Sequence, residues 1–489
     1  MGEIMPHWLA KQAELKPDEI AIQEGEGRVW TFAQLDKASR QFAFGLLSEG
    51  VQAKDKIAIL SGNCTDFIIA VHAASYTGAV VVLINTRLSE SEIAYQLKDA
   101  DVSIVLADEE NAQVTKEHAW RKELRTLLLT EINKKKKTKL ALVEEVDLDT
   151  GFTIMYTSGT TGAPKAVMHT YGNHLWSAMG SMLNLGLRED DKWLAVLPMF
   201  HIGGLSIYFK SAIYGMPIYM LKKFDEAAVL EAIMKRDVTI MSAVSVMMRR
   251  LLDELGNNCV PKSFRCMLLG GGPAPRSLLQ ASKEREIPIF QSYGMTETSS
   301  QIVTLAPGNA LKKLGSSGKT LFPAQLKIDK PDAKGEGEII VKGPMVVNGY
   351  YNNDEATSKA FTTDGWLHTG DIGRLDEDGS LYVLDRRKDL IISGGENVYP
   401  AEIENVLLNF EGVHEAGVIG IKNAKWGEVP AAFIVSDQVD TNTIKSNCKK
   451  YLASYKCPQY IWLVDALPRN ASGKLLRNKL SLWAAEKLE

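Results

Sequence analysis

Tyr156-Thr-Ser-Gly-Thr-Thr-Gly-Ala-Pro-Lys-Ala-Val167 is the stretch that decides how this 489-residue chain is read. Its centre, Ser158-Gly159-Thr160-Thr161-Gly162, is three small hydroxyl residues and two glycines, preceded by Thr157 and closed by Pro164 and Lys165. The apolar run Phe152, Ile154, Met155 and Tyr156 before it reads as a buried strand, which puts the glycines in the turn leaving that strand. Backbone N–H groups, hydroxyls and one cation at such a turn can wrap a polyphosphate. The spacing is not that of a Walker A loop, because Lys165 lies three residues after Gly162 and no Ser or Thr follows it. A plain flexible turn has the same composition, so the rest of the chain has to separate the two readings.

Outward from the loop, short apolar runs alternate with amphipathic patterns. Ile57–Leu60, Ala79–Leu83 and Val102–Leu106 read as strands with helical periodicity between them. Thr31-x-x-Gln34 and Ser89-x-x-Glu92 fit capping boxes, in which side chains satisfy N–H groups that open a helix. This alternation predicts parallel sheets covered by helices, a large α/β domain. From Pro323 to Tyr350 the pattern shortens to β-like pieces broken by Gly and Pro, which predicts a small β-rich subdomain. The basic run Lys134–Lys137, with Lys139 beyond it, reads as a solvated turn without function.

A chain of this length exceeds one core and predicts two or three domains. Its composition, 45% apolar and 24% charged, is that of an ordinary globular protein. The formal charge of −4 gives no general attraction to nucleic acid or anionic membrane, so a polyanion has to be held by a local site. Cys64, Cys259, Cys266, Cys448 and Cys457 are odd in number, scattered and without a CxxC pair, which argues against a disulfide framework or structural zinc. With no signal peptide in Met1-Gly-Glu-Ile-Met-Pro-His-Trp8 and no run of 18 apolar residues, the expected location is the cytoplasm. The oligomeric state is not set by composition, and a homodimer stays open.

Four further stretches follow the loop in order: Gln291-Ser-Tyr-Gly-Met-Thr-Glu297, Gly365-Trp-Leu-His-Thr-Gly-Asp371, Asp385-Arg-Arg-Lys-Asp389 and Pro468-Arg-Asn-Ala-Ser-Gly-Lys474. Together with the loop they resemble the adenylate-forming superfamily of acyl-CoA synthetases, peptide-synthetase adenylation domains and luciferases, from about residue 15 to 480. The resemblance implies two reactions in one site. A carboxylate attacks the α-phosphate of ATP to give an acyl-adenylate and pyrophosphate, and the thiol of coenzyme A then displaces AMP. ATP, Mg²⁺ and coenzyme A are the implied cofactors. It also implies an N-terminal domain over residues 1–385, a hinge at 386–389 with Lys388 absorbing the rotation, and a small mobile α+β C-terminal domain over 390–489.

Within that frame Thr157, Ser158, Gly159, Thr160, Thr161, Gly162 and Lys165 serve the β- and γ-phosphates. Glu297 is the expected Mg²⁺ ligand, since a hard cation bridging to phosphate needs only one or two carboxylates. Thr296 is expected to donate to the α-phosphate. Tyr293 offers a flat face, and Gly270-Gly271-Gly272 an opposite wall without side chains, with Gln291 near the exocyclic amine of adenine and Gly294 beside the ring. Gly270–Gly272 also reads as a turn after a strand Cys266–Leu269, and both readings can hold. Asp371 suits a vicinal diol because a carboxylate accepts on both oxygens. Arg386 is the second ribose candidate, with Arg387 facing solvent. Lys474 is the expected catalytic residue, its ammonium placed between the substrate carboxylate and the α-phosphate. Gly394 and Gly395 resemble the loop that lines the pantetheine channel, or form a simple turn after a strand Leu390–Ile392. Relatives carry Gly where this chain has Ala166, and if that Gly serves a positive φ, alanine costs about 1 kcal/mol.

Pro198-Met-Phe-His-Ile-Gly-Gly-Leu-Ser-Ile-Tyr-Phe-Lys210 reads as a turn entering an apolar helix, with His201 where relatives keep a gating aromatic ring. Ser206 and Lys210 stand four residues apart on one helical face. Lys210 reads either as a partner for a second substrate carboxylate or as a chain that carries its ammonium to solvent. Thr298-Ser-Ser-Gln-Ile-Val303, the Gly270–Pro275 run and the compact length are most similar to the 2-succinylbenzoate–CoA ligases of menaquinone synthesis. The implied partner is therefore 2-succinylbenzoate, an aromatic keto acid with two carboxylates, met by Ser206, Lys210, Ser300 and Gln301 in an apolar pocket. Ligases for other aromatic or medium-chain acids, and stand-alone adenylation domains that load a carrier protein, share the same motifs.

Overall fold

The computed structural model describes residues 2–132, 141–157, 163–270, 274, 276–333, 335–385, 389, 391–398, 400–436, 440–468, 475 and 477–488. The basic run at 134–137 lies outside them. The chain divides into two compact units, one of residues 1–86, 99–155 and 166–384, the other of 87–98, 156–165 and 385–489. The second unit thus begins at Asp385 but also gathers two short pieces that a linear reading assigns to the first domain.

Among the described residues the first unit is built on a six-stranded and a thirteen-stranded sheet. In the former, Lys56–Leu60, Val80–Leu83, Val102–Ala107 and Gly151–Thr157 run parallel, with Val81 opposite Thr153 and Leu83 opposite Met155. These are the apolar runs read as strands, and they are largely apolar because parallel strands are covered on both faces. The helix Thr65–Thr77 between two of them buries every residue except Asp66, which is why its sequence shows no polar stripe. Thr31 opens the helix Phe32–Ser48 with the expected reciprocal pair, Gln34 N–H to Thr31 Oγ1 at 3.3 Å and Thr31 N–H to Gln34 Oε1 at 3.1 Å.

The larger sheet changes character part-way. Ile218–Met220, Trp193–Ala195, Ile240–Val244, Cys266–Gly270 and Ile289–Met295 are parallel, and Ser300–Leu305 then turns back antiparallel. Beyond it lie Ser316–Thr320, Leu381–Asp385, Leu367–Leu375, Gly337–Lys342 and Gln325–Asp329. The β-rich subdomain is therefore a continuation of the large sheet and not a sheet of its own. One apolar cluster joins the sheets through the helices Thr65–Thr77 and Ile202–Tyr214, with Ile57, Val81, Trp193, Leu205 and Ile240 among its members.

In the second unit, Val413–Asn423 pairs antiparallel with Gly427–Ser436, and Tyr460–Leu463 adds to the latter in parallel. Alternation sorts the side chains: Val418, Ala432 and Ile434 enter one core with the helices Pro400–Leu408 and Thr441–Tyr451, while Ile419, Ala431 and Phe433 enter another with Arg477–Leu488. The helix Glu90–Asp99 opens on the second expected box, Ser89 N–H to Glu92 Oε2 at 2.8 Å and Glu92 N–H to Ser89 Oγ at 3.4 Å. Glu92 also shares the buried ammonium of Lys456 with Glu402, at 2.7 and 2.8 Å.

Candidate active site

The Ile289–Met295 and Ser300–Leu305 strands carry five of the expected residues, Gln291, Tyr293, Gly294, Ser300 and Gln301, and the turn between them carries Thr296 and Glu297. Their register sets Gln291 opposite Leu305 and Tyr293 opposite Val303, then slips so that Gly294 faces Gln301. Gly294 is demanded by this slip. A Cβ there would stand 2.1 Å from the Ser300 carbonyl oxygen and 2.8 Å from the Gln301 Cα. The turn between the strands, Thr296–Thr298, is followed by Ser299 and Ser300 with φ of 54° and 126°. Two consecutive non-glycine residues in that region store strain, and such strain gathers at functional turns.

Bracing holds the turn. Ser177 Oγ donates to the Ser299 carbonyl at 2.7 Å, Ser299 Oγ to that of Met345 at 2.8 Å, and the Val347 N–H to that of Glu297 at 3.0 Å. The Glu297 side chain is buried, and Tyr350 Oη donates to its Oε1 at 3.0 Å. Tyr350 is itself bridged to Val167, next to Ala166, whose carbonyl accepts from the Tyr351 N–H at 2.8 Å. Ala166 lies in the strand Lys165–Thr170 without a positive φ, so the cost expected of it does not arise.

Tyr293 is packed with Ile302, Val303, Ile339 and Val341, and its hydroxyl donates to Asp371 Oδ2 at 2.8 Å. Asp371 stands in the strand Leu367–Leu375, where its own N–H reaches Thr369 Oγ1 at 3.1 Å. Gly270 ends the strand Cys266–Gly270, one residue beyond Leu269, which pairs with Gln291. The side-chain nitrogen of Gln291 is buried without a partner, and so are both amide atoms of Gln301. A buried amide without a partner is costly, so these groups suit a bound molecule that carries acceptors and donors. A buried carboxylate at Glu297, a second carboxylate at Asp371 and an orphaned amide at Gln291 are the donor and acceptor types that a divalent cation, a vicinal diol and a base edge would use.

His201 is the exposed N-cap of the helix Ile202–Tyr214, its ring against Phe200 at 4.7 Å between centroids. The preceding turn is held by Asn63, whose Nδ2 donates to the Leu197 carbonyl at 3.0 Å and whose Oδ1 accepts from the Met199 N–H at 3.0 Å. Ser206 is buried about one and a half turns into the helix. Lys210 does not reach solvent. It is 2% exposed, its ammonium 4.9 Å from the Trp193 ring centroid, and burial lowers its pKa to about 8. Nine residues of helix place it about 13 Å along the axis from His201. Trp193 and Cys266, which it faces, begin their strands, whereas Gly270 and Met295 end theirs.

In the second unit Thr157 ends one strand and Lys165 begins the next. Gly394 and Gly395, at φ of 59° and 85°, form the two-residue turn between Ile391–Ser393 and Glu396–Val398. That is the primed hairpin turn only glycine adopts freely. Ser158, Gly159, Thr160, Thr161, Gly162, Gly271, Gly272, Arg386, Lys388 and Lys474 lie outside the described residues. Among the described residues no group of three or more His, Cys, Asp or Glu side chains is placed to hold a metal ion, and all five cysteines are free.

The AMP-binding enzyme profile matches residues 9–351, and that of the AMP-binding enzyme C-terminal domain matches residues 402–474. The chain belongs to the AMP-binding enzyme family. This AMP-binding enzyme is 53% identical to the 2-succinylbenzoate–CoA ligase of Oceanobacillus iheyensis, over 98% of its own length and 100% of the relative's. It is 47% identical to a double mutant of the o-succinylbenzoate CoA synthetase (MenE) of Bacillus subtilis bound with its product analogue OSB-NCoA, covering 98% of each chain with a TM-score of 0.93. The same Bacillus enzyme in complex with ATP and magnesium ion is 46% identical over 98% of this chain and 100% of that one, with a TM-score of 0.77.

Sequence reading missed Asn63, Tyr350 and His169, whose Nε2 lies 2.8 Å from the Thr296 carbonyl oxygen. The Gly349-Tyr-Tyr351 triplet was the available signal for Tyr350, since paired aromatic hydroxyls in a β-rich stretch need a polar destination. Asn63 and His169 carry no such mark.

Proposed function

We propose that this AMP-binding enzyme activates 2-succinylbenzoate with ATP and transfers the acyl group to coenzyme A, releasing AMP and pyrophosphate, as a step of menaquinone synthesis. The observation that carries the reading is the end-to-end 53% identity with an enzyme of that name. The hydrogen-bonded carboxylates of Glu297 and Asp371 and the orphaned amides of Gln291 and Gln301 support the reading. Five free thiols and a substrate set of ATP and coenzyme A fit a cytoplasmic enzyme.

In the first step a carboxylate oxygen of the acid bonds to the α-phosphorus and the bond to pyrophosphate breaks. Thr157–Lys165 cradle the departing phosphates, Thr296 donates to the α-phosphate, and Lys474 steadies the charge that develops between acid and nucleotide. Glu297 would hold Mg²⁺, which would supply charge neutralisation at the phosphates. Asp371, fixed by the Tyr293 hydroxyl, and Arg386 hold the ribose, with Gln291 and Gly270–Gly272 beside the adenine. In the second step the coenzyme A sulfur bonds to the acyl carbon, its proton is lost, and AMP leaves. Gly394 and Gly395 line the thiol's path and Lys388 is the pivot that brings them into use.

His201 gates the carboxylate that reacts, and Ser206, Ser300 and Gln301 meet the other end of the acid. Both Gln301 amide atoms are buried with no protein partner, and its N–H groups suit a carboxylate that is bound but not activated. Lys210, deep along its helix at the other end of the strands, is not given a part in binding the acid. The test is incubation with ATP, Mg²⁺, coenzyme A and 2-succinylbenzoate, with products identified by mass. AMP and the succinylbenzoyl thioester are expected. AMP formed only with another acid overturns the substrate, and ADP or no turnover with any acid overturns the chemistry.

A further inference from the structure

Behind the Thr296–Thr298 turn lies a file of buried polar groups that the reaction as described does not use. Thr153 and His169 are 0% exposed and His174 is 2% exposed. His169 Nε2 stands 2.8 Å from the Thr296 carbonyl oxygen. A carbonyl only accepts, so that nitrogen carries the hydrogen. Burial pushes the His169 imidazole down to about 4, so the ring is neutral near pH 7 and its Nδ1 is bare. Thr153 Oγ1, 3.3 Å away, donates to that Nδ1 and accepts from His174 Nε2 at 2.8 Å. His174 Nδ1 is buried without a partner, as its bare nitrogen would be in this tautomer. Every hydrogen in the file then has one direction, from His174 to Thr153, from Thr153 to His169, and from His169 to Thr296.

The strand that carries His169 reaches the same turn by a second route. Val167, two residues earlier, bridges Tyr350, whose hydroxyl holds the Glu297 carboxylate at 3.0 Å. With Ser299 and Ser300 strained just beyond, the backbone of the turn needs an outside contact to keep its course.

We propose that His169, oriented by Thr153 and His174, is a positioning residue for adenylate formation, its Nε2–H pinning the Thr296 carbonyl and so setting where Thr296 and Glu297 meet the α-phosphate and the divalent cation. The inference rests on the roles proposed above for Thr296 and Glu297. His169 touches no substrate. An apolar side chain of similar size fills the same space but removes one of the two hydrogen bonds that the Thr296 carbonyl accepts, leaving only that from the Ser299 N–H at 3.0 Å, so the strained turn loses its hold on the strand behind it. Glutamine keeps an N–H donor at similar reach together with an oxygen that accepts from Thr153.

The test follows acid-dependent ATP–pyrophosphate exchange against Mg²⁺ concentration in the wild type, His169→Leu, His169→Gln and Thr153→Val, alongside thioester formation from supplied acyl-adenylate. His169→Leu is expected to raise the Mg²⁺ needed for half-maximal exchange about tenfold, with His169→Gln within about twofold of wild type and Thr153→Val between them. Thioester formation from supplied adenylate, after pyrophosphate has left, is expected to fall by no more than about threefold in all. Three results overturn the proposal: a His169→Leu enzyme with the wild-type Mg²⁺ dependence, a His169→Gln enzyme as impaired as His169→Leu, or equal loss of both half-reactions. Should His169→Leu not fold, an unchanged Mg²⁺ dependence in Thr153→Val overturns it alone. Absence of exchange in the wild type with 2-succinylbenzoate is a failure of the substrate reading instead, and the variants are then compared with the acid that supports exchange.

Discussion

Tyr293 Oη donates to Asp371 Oδ2 at 2.8 Å, joining the residue expected beside the adenine to the residue expected on the ribose. The hydroxyl fixes which way the carboxylate faces before a nucleotide arrives. Tyr293→Phe removes a hydrogen bond to a charged group, worth about 1.5–3 kcal/mol, from a pair whose alignment matters most when ATP binds. We expect KM for ATP to rise about tenfold with kcat changed little, since a tenfold change corresponds to about 1.4 kcal/mol. Steady-state kinetics check this, and an unchanged KM for ATP removes Asp371 from the ribose site.

Lys474→Ala separates the two half-reactions. The ammonium is proposed to stabilise charge only while the carboxylate attacks phosphorus, so adenylate formation is expected to fall by about two to three orders of magnitude. Conversion of supplied acyl-adenylate to thioester is expected to survive. Equal loss of both steps, measured by single-turnover product analysis, contradicts the assignment.

Lys210 carries a charge into an apolar interior. Burial lowers its pKa from 10.5 to about 8, so as pH rises the folded chain loses this proton before the unfolded chain does. Between about pH 8 and 10.5 the unfolded state binds more protons and stability rises with pH, while below that window the full burden remains, about 3 kcal/mol. Lys210→Met is expected to raise the denaturation midpoint at pH 7 and to abolish the rise above pH 8, with KM for 2-succinylbenzoate within about twofold of wild type. A stable Lys210→Met enzyme that loses affinity for this acid alone, against a matched monocarboxylic acid, returns the ammonium to the acid site.

Lys456 holds two buried carboxylates together within the second unit. Burial already pushes the Glu402 carboxyl upward, and the two glutamates more than offset the burial of the ammonium, so Lys456 stays charged. Lys456→Met leaves Glu92 and Glu402 facing each other, a loss of about 3–5 kcal/mol at pH 7. The sign of its pH dependence follows. A buried carboxyl binds its proton more tightly folded than unfolded, so stability falls as pH rises, and the variant is expected to recover part of its loss as pH drops toward 5. Urea titration of the variant at pH 5 and pH 7 checks this, and a loss independent of pH shows that packing, not charge, is at stake.

Much of the architecture was legible in the chain. The Thr31 and Ser89 boxes close as read, and the strands at Ile57, Val80, Val102 and Phe152 form within a residue or two of their apolar runs. Each rests on contacts a few residues long, which a linear pattern records directly. The change of texture after Pro323 was legible too, but not that these strands extend the large sheet, because hydrogen bonding across a sheet edge leaves no mark in local sequence. Lys210 shows the same limit at one side chain. Its spacing from Ser206 assigns a helical face, yet whether that face meets solvent, the acid or Trp193 depends on strands that run beneath it.

By itself the sequence determined the periodicity, the caps, the order of the motifs and, through them, the family and its two-step chemistry. Only the tertiary structure decided who partners whom among the buried polar groups: Tyr293 with Asp371, Tyr350 with Glu297, and His169 with a carbonyl 127 residues away. The physical reason is that a helix or a strand satisfies its own backbone locally, whereas a buried hydroxyl, imidazole or carboxylate must find its partner across the core.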